Sequence, residues 1–378
     1  MNEATQEKGA LRVGSLFGIP FFIDASWFFI LALVTFSYGS GLAGQFPEWQ
    51  GVVPWLVGLI AALLLFTSVL LHELGHSFAA MAQGIPVRSI SLFLFGGVAR
   101  IERESTSPWG SLGVALAGPL VSVALFGLFT GMQWLFEPTG GTAAILTLLA
   151  SINLALAVFN MLPGLPLDGG NALKAIVWAI TGNQYKGIRV AAFTGQGVGL
   201  LMMAAGLFSA VTSGFSGLWF ALIGWFVFSN ARSYSQYAQI QDKLSGLTAA
   251  EATVRTEPTV PVHASLRTFA DFYALSTEQP VFLVTDYEGR LVGRISRSRL
   301  TQFEPEKWSS INVSEVMEPV DAAETATLTQ PLSEVLNRLN EKSLPRIPVL
   351  YPDGRLVGQV RMKDIQRFAQ GDRWNPAH

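Results

Sequence analysis

Cysteine is absent from the 378 residues, so the chain has neither a disulfide nor a thiolate with which to bind metal. Charge is scarce as well. Asp, Glu, Lys and Arg make up 14% of the chain, against about a quarter in an ordinary soluble domain. The shortage is uneven: no charged residue occurs from Val190 to Ala231, whereas the chain beyond Gln239 is ordinarily polar. That asymmetry predicts a membrane domain followed by a soluble one. No basic cluster or arginine-rich arm accompanies the net charge of -2, which excludes nucleic acid as an expected partner. The first residues, with Glu3, Glu7, Lys8 and Arg12, lack the short apolar core and cleavage site of a signal peptide. The first span is therefore expected to serve as the anchor.

What the chain has in plenty is apolar length. Runs long enough to cross a bilayer, about 17–25 residues, occur at 21–38, 53–81, 112–136, 143–180, 190–211 and 218–237. The fourth is interrupted by Pro163-Gly164-Leu165-Pro166-Leu167-Asp168-Gly169-Gly170, through which no continuous helix passes. Broken backbone at membrane depth has to be buried in protein or face a watery cavity. Basic residues sort to one side. Lys8 and Arg12 precede the first run, and Arg88, Arg100 and Arg103 follow the second. Lys174, Lys186 and Arg189 follow the break, and Arg232 ends the sixth, while the loops 39–52, 137–142 and 212–217 have no lysine or arginine. By the positive-inside rule the expectation is six spans in the cell membrane (inner or plasma), with both termini cytoplasmic.

Two of the histidines form His72-Glu73-Leu74-Gly75-His76 at the end of the second run. Residues four apart share a helix face, so both imidazoles reach one metal ion. The glutamate beside the first is placed to act on water rather than on the metal, which is the zinc-hydrolase pattern. A catalytic zinc takes three protein ligands. The other histidines, His263 and His378, lie in the polar tail, so the third ligand is expected to be a carboxylate of the membrane domain. Asp168, in the broken segment, is the favoured candidate, with Glu102 or Glu104 in a charged loop and Asp24 at the start of the first run as rivals. The extended protease pattern, with a glycine three and a histidine six residues after the second histidine, is absent: Ala79 and Ala82 stand there.

Other residues have narrower readings. Asn153 and Asn160, seven residues apart on one helix face, are candidates to hold a substrate backbone or a developing oxyanion, or else to bond between helices. Ile90, Leu92 and Leu94 alternate with Ser89, Ser91 and Phe93, a strand-like run whose edge is expected to pair with an extended substrate. Gly118-Pro119 reads as a kink or packing notch, Gly195, Gly197 and Gly199 as close helix approach, and Asp24 as an interfacial cap.

These residues resemble the site-2 protease family of intramembrane zinc metalloproteases. The likeness rests on His72 to His76, Asn160-Met161-Leu162-Pro163-Gly164-Leu165-Pro166-Leu167-Asp168-Gly169-Gly170, Ala117-Gly118-Pro119 and Phe95-Gly96-Gly97-Val98-Ala99, and covers roughly residues 10–240. It implies one Zn2+ per chain on His72, His76 and Asp168, with Glu73 as the general base. It also implies a membrane-dipping β loop around 95–99, and single-span membrane proteins as substrates of regulated intramembrane proteolysis.

The tail repeats itself. Glu288-Gly289-Arg290-Leu291-Val292-Gly293 returns as Asp353-Gly354-Arg355-Leu356-Val357-Gly358, each a hairpin turn after an apolar run. Helix-like stretches at 266–276 and 332–342 precede the two copies, and Val313-Ser314-Glu315-Val316-Met317-Glu318-Pro319 opens the second. This resembles a pair of CBS domains, a family that often binds adenine nucleotide through a hydroxyl residue and an aspartate three positions later. Here the first copy has Ser296 but Arg299, and the second has Arg361 but Asp364. Weak adenine-nucleotide binding at Ser296 and Asp364 is the expectation, beside a dimerising or anchoring role that would make a homodimer. The expected fold class is an α-helical polytopic membrane protein of six transmembrane helices with a membrane-associated β loop, and a C-terminal α/β CBS pair. Its parts are a cytoplasmic N-terminus 1–14, a membrane metalloprotease domain 15–240, and CBS domains at 247–305 and 312–370. The reading from another class is a CBS-gated transporter or channel with the His/Asp cluster as an ion site, although such a site has no need of Glu73.

Overall fold

The computed structural model describes residues 10–94, 96–213, 216–255, 258–277 and 279–365. Residues 1–9 of the expected N-terminal segment, Phe95 of the glycine-rich run, 366–370 of the expected second CBS domain, and His378 lie outside the described residues. The chain divides into two compact units, Met1–Gln239 and Ile240–His378.

The described part of the first unit starts with a hairpin, β1 (Ala10–Leu16) and β2 (Ile19–Asp24), and residues 21–24 of the first apolar run, expected to be helical, lie in β2. Asp24 then caps α1 (Ala25–Gln45) by accepting the Ser26 amide at 2.9 Å, so the helix starts later and ends later than the run 21–38. α2 (Val53–Met81) leads into β3 (Val87–Phe93) and β4 (Gly96–Ile101), followed by α3 (Pro108–Phe136) and α4 (Gly140–Asn160). Next come α5 (Asp168–Thr181), α6 (Gln184–Ser213) and α7 (Ser216–Leu244). Five of these helices, α1 to α4 and α6, are long and apolar enough to cross a membrane. Their outward faces carry Phe29, Leu56, Leu128, Phe193 and Leu201 exposed, as lipid-facing helices do. α7, where a sixth span was expected, is long but carries Arg232, Asp242 and Lys243 and is not among the five.

The four strands form one sheet in the order β1-β2-β3-β4, with β2 and β3 parallel and the other pairs antiparallel. This corrects one expectation. The run at Ser89 to Phe93 is an interior strand, hydrogen-bonded on both sides, and it has no edge to offer. The open edges belong to β1 and β4.

The expected break in the fourth run separates α4 from α5. Its backbone groups are satisfied by protein, as membrane depth requires. The Leu165 amide donates to Ala191 O of α6 at 3.0 Å, and the Leu167 amide to Gly164 O at 3.0 Å. Gly164 lies so close to Gly195 that a Cβ on either would strike backbone. Gly199 approaches α7 in the same way, whereas Gly197 faces open space.

The second unit contains two three-stranded sheets of the same plan. In the first, β5 (Val260–Pro261) is parallel to β6 (Val281–Thr285), which pairs antiparallel with β7 (Leu291–Ser296). In the second, β8 (Ala326–Thr327), β9 (Arg346–Leu350) and β10 (Leu356–Arg361) repeat it. Gly289 and Gly354 turn the hairpins at φ 76° and 85°, values that favour glycine. Among the described residues four α-helices accompany the sheets: α8 (Ala249–Ala252), α9 (Leu266–Phe269), α10 (Val313–Val316) and α11 (Leu332–Glu341). Each repeat lends its leading helix to the other's core. Ala249 and Ala252 of α8 pack with Leu332 of α11 and with Ile347 and Val349 of the second sheet, and Val313 of α10 packs with Phe269 of α9 and with Val260 and Phe282 of the first.

Candidate metal centre

α2 carries His72 and His76 one turn apart, both buried. Asp168, the first residue of α5, is brought to them by the broken segment. The two Nε2 atoms lie 3.2 Å apart. Asp168 Oδ2 is 3.1 Å from His72 Nε2 and 3.3 Å from that of His76. His76 Nδ1 donates to Val114 O at 2.7 Å, which points its Nε2 lone pair at the other two atoms when the ring is neutral. His72 Nδ1 lies 2.8 Å from Ser122 Oγ. Three acceptor atoms this close repel unless a proton or a cation sits among them. Ligands held at about 2.0–2.1 Å on a tetrahedral ion are separated by about 3.3 Å. Two imidazoles and one carboxylate, buried and spaced in this way, fit zinc.

Glu73 is the neighbour of His72 in sequence but is not part of the cluster. Its Oε2 accepts the amide of Ala99 in β4 at 3.1 Å. Gly97 gives it room, since a Cβ there would come within 2.5 Å of Glu73 Cγ. β4 thus runs beside the glutamate. The Ala99 amide is turned to Glu73 rather than to Ile90, its cross-strand partner on β3.

α3 closes the site from the other side. Gly75 of α2 would strike Ala117 O if it carried a Cβ, and a Cβ on Gly118 would strike Nε2 of both histidines. The notch expected at Gly118 is therefore present, and what fills it is the pair of imidazoles.

The rival carboxylates are elsewhere. Asp24 accepts from the Ser26 hydroxyl at 2.6 Å and from its amide, and these bonds hold its carboxyl below the usual carboxylate range. It is the cap. Glu102 pairs with Arg88 at 3.2 Å, and Glu104 with the buried Lys174 at 3.2 Å. The two asparagines also part company. Asn153 is fully buried, and its amide donates to Ser68 Oγ of α2 at 3.1 Å, a bond between helices, and to Leu149 O of its own helix at 2.8 Å. Its Oδ1 has no partner. Asn160 is half-buried at the end of α4.

In the second unit Ser296 caps a short turn through the Ser298 amide, at 3.3 Å. Asp364, 5% exposed, is already paired with Arg361, and Arg299 donates to Glu318 at 2.8 Å. Three features of the site carry no sequence signature that singled them out, the Val114 carbonyl, Ser122 and the Ala99 amide, whereas Gly97 lies in the glycine-rich run that carried the resemblance. Only Ser122 left a trace, as a hydroxyl in an apolar helix four residues beyond Gly118.

Comparison with known proteins finds relatives for both units. The profile of peptidase family M50 matches residues 60–138 and 136–205, and that of the CBS domain matches 313–371. The chain is 45% identical over 363 residues to "Putative zinc metalloprotease sll0528" of Synechocystis sp., a match covering 95% of each chain. It is 32% identical over 366 residues to "Putative zinc metalloprotease Rip3" of Mycobacterium tuberculosis, covering 96% of this chain and 93% of that one. Among solved structures, the site-2 protease from Methanocaldococcus jannaschii is 28% identical, with a TM-score of 0.43, covering 60% of this chain and 95% of that one.

Proposed function

The chain belongs to peptidase family M50, the site-2 protease family, and from that premise we propose that it is an intramembrane zinc endopeptidase whose metal is held by His72, His76 and Asp168. One observation carries the reading. Three donors from two separate helices converge at 3.1–3.3 Å beside a glutamate that is not one of them. The relatives named as zinc metalloproteases support the identity of the metal.

Zinc, when bound, supplies Lewis acidity that polarises a carbonyl and brings the pKa of water down to about 7. The chain's own residues do the rest. Glu73 takes a proton from water and returns it to the leaving amine, a contribution of roughly 10²–10⁴-fold. The Ala99 amide fixes its carboxylate, and Gly97 keeps the approach open. An extended substrate segment would add to the outer edge of β4, main chain to main chain, beside Ala99, whose own amide is held by Glu73. Asn160 is the better placed of the two asparagines to meet that segment, because Asn153 is committed to Ser68.

The finer assignments follow the same reading. α7 completes six spans, the sheet dips into the membrane, and both termini are cytoplasmic, which puts the site in the cytoplasmic half. Residues 15–240 are the protease, and its substrates are single-span membrane proteins cut in regulated intramembrane proteolysis. The CBS pair, 247–305 and 312–370, is a regulatory module and the site of a homodimer. With Ser296 and Asp364 engaged within the chain, adenine-nucleotide binding is expected to be weak. A titration with ATP and AMP that shows no saturable response at millimolar concentration removes it.

The test of the main reading is zinc per chain in detergent-purified protein, beside Asp168→Ala. About one zinc in the parent and a clear loss in the variant is the expected result. A parent without zinc under metal-replete conditions overturns the reading.

A further inference from the structure

We infer that Ser122 is a positioning residue of the metal centre. Its hydroxyl accepts the Nδ1 proton of His72 and so sets the ring form that presents Nε2 to the metal. The inference rests on the metal-site reading above.

α3 meets the two imidazoles at three positions spaced four residues apart, and so on one helix face. Val114 lends a carbonyl to His76 Nδ1 at 2.7 Å. Gly118 leaves out the side chain that would collide with both Nε2 atoms. Ser122, fully buried, lies 2.8 Å from His72 Nδ1. The backbone serves one histidine and a side chain serves the other.

The ordinary use of a hydroxyl in a membrane helix is different. On α2, Ser68 donates to Leu64 O at 3.2 Å and Ser77 to Glu73 O at 2.8 Å, each to its own helix one turn back. Ser122 instead reaches across to another helix and to the back of a proposed ligand. A neutral imidazole has a single ring N–H. On Nε2 that proton would occupy the place where the metal needs a lone pair. An acceptor behind Nδ1 holds it on the other nitrogen and fixes the plane of the ring. Partners of this kind typically contribute 10–100-fold to metal affinity.

The experiment measures zinc affinity by chelator competition in the detergent-solubilised full chain, together with the melting temperature of the metal-free form. Ser122→Ala is expected to lower affinity by about 10–100-fold while leaving the metal-free melting temperature where it was. Ser122→Thr, which keeps the hydroxyl, is expected to restore the affinity. Parent-like affinity in Ser122→Ala overturns the inference. So does a Ser122→Thr protein that loses as much as Ser122→Ala, since the role would then be packing alone. If Ser122→Ala does not fold, Ser122→Cys carries the test, because it is similar in size and a weak acceptor. Affinity equal to the parent's in that variant also overturns the inference. A parent that binds no zinc fails the metal-site reading itself, a result distinct from any of these.

Discussion

His72 and Glu73 are adjacent in the chain and separate in use. Consecutive residues on a helix point about 100° apart. The histidine therefore turns to Asp168 and His76, and the glutamate to β4. Glu73→Gln keeps the shape and removes the base. Cleavage of a membrane substrate is expected to fall by roughly 10²–10⁴-fold with zinc content unchanged, because Glu73 is outside the donor cluster. Loss of zinc in that variant would count against the assignment. Metal chemistry admits few side-chain types, which is why spacing along the sequence picks out His72 and His76, and elimination favours Asp168 while leaving Glu102, Glu104 and Asp24 as rivals. The Ala99 amide and the Val114 carbonyl escape that reasoning, since every residue carries those groups and only the fold says which ones face the site. Gly118 was legible as a notch, without the histidines that fill it.

At the scale of elements, helices of continuous apolar sequence were the readable part. The break at Pro163 to Leu167 was equally plain, because proline and glycine act locally. The sheet was not. β2 pairs in parallel with β3, residue 21 with residue 90, and no local alternation announces a partner so far away. Hence most of β2 was hidden inside the first apolar run, and the substrate edge was assigned to the wrong strand. The corrected edge has its own test. Ala99→Pro removes the one amide that donates to Glu73, while Val98 and Arg100 keep their places in the ladder with β3. Proline lacks that donor by construction. Zinc should be retained and cleavage should drop at least about tenfold, in keeping with a lost positioning bond near a reacting group. Full activity would exclude β4 as the docking edge.

The whole molecule joins a multi-pass membrane unit to a tail of the CBS type, and the absence of cysteine makes its topology directly measurable. Single cysteines at Glu48, Glu137, Lys186 and Asp353 can be labelled in intact cells with an impermeant maleimide, with no background from the chain itself. Positive-inside sorting predicts that the first two react from outside and the last two only after permeabilisation. Labelling of Lys186→Cys from outside would undo the six-span arrangement. The repeat was visible in the sequence, but its way of folding was not, because a repeat shows what is copied and not which copy packs on which. The Val254 amide donates to Gln359 O at 2.9 Å, and that of Glu318 to Arg294 O at 2.8 Å. Both bonds cross from one copy to the other. A chain ending between the copies would leave each half holding a piece cut for its absent twin. The tail is therefore a unit of inheritance: a frameshift or a stray protease that removes one copy removes both.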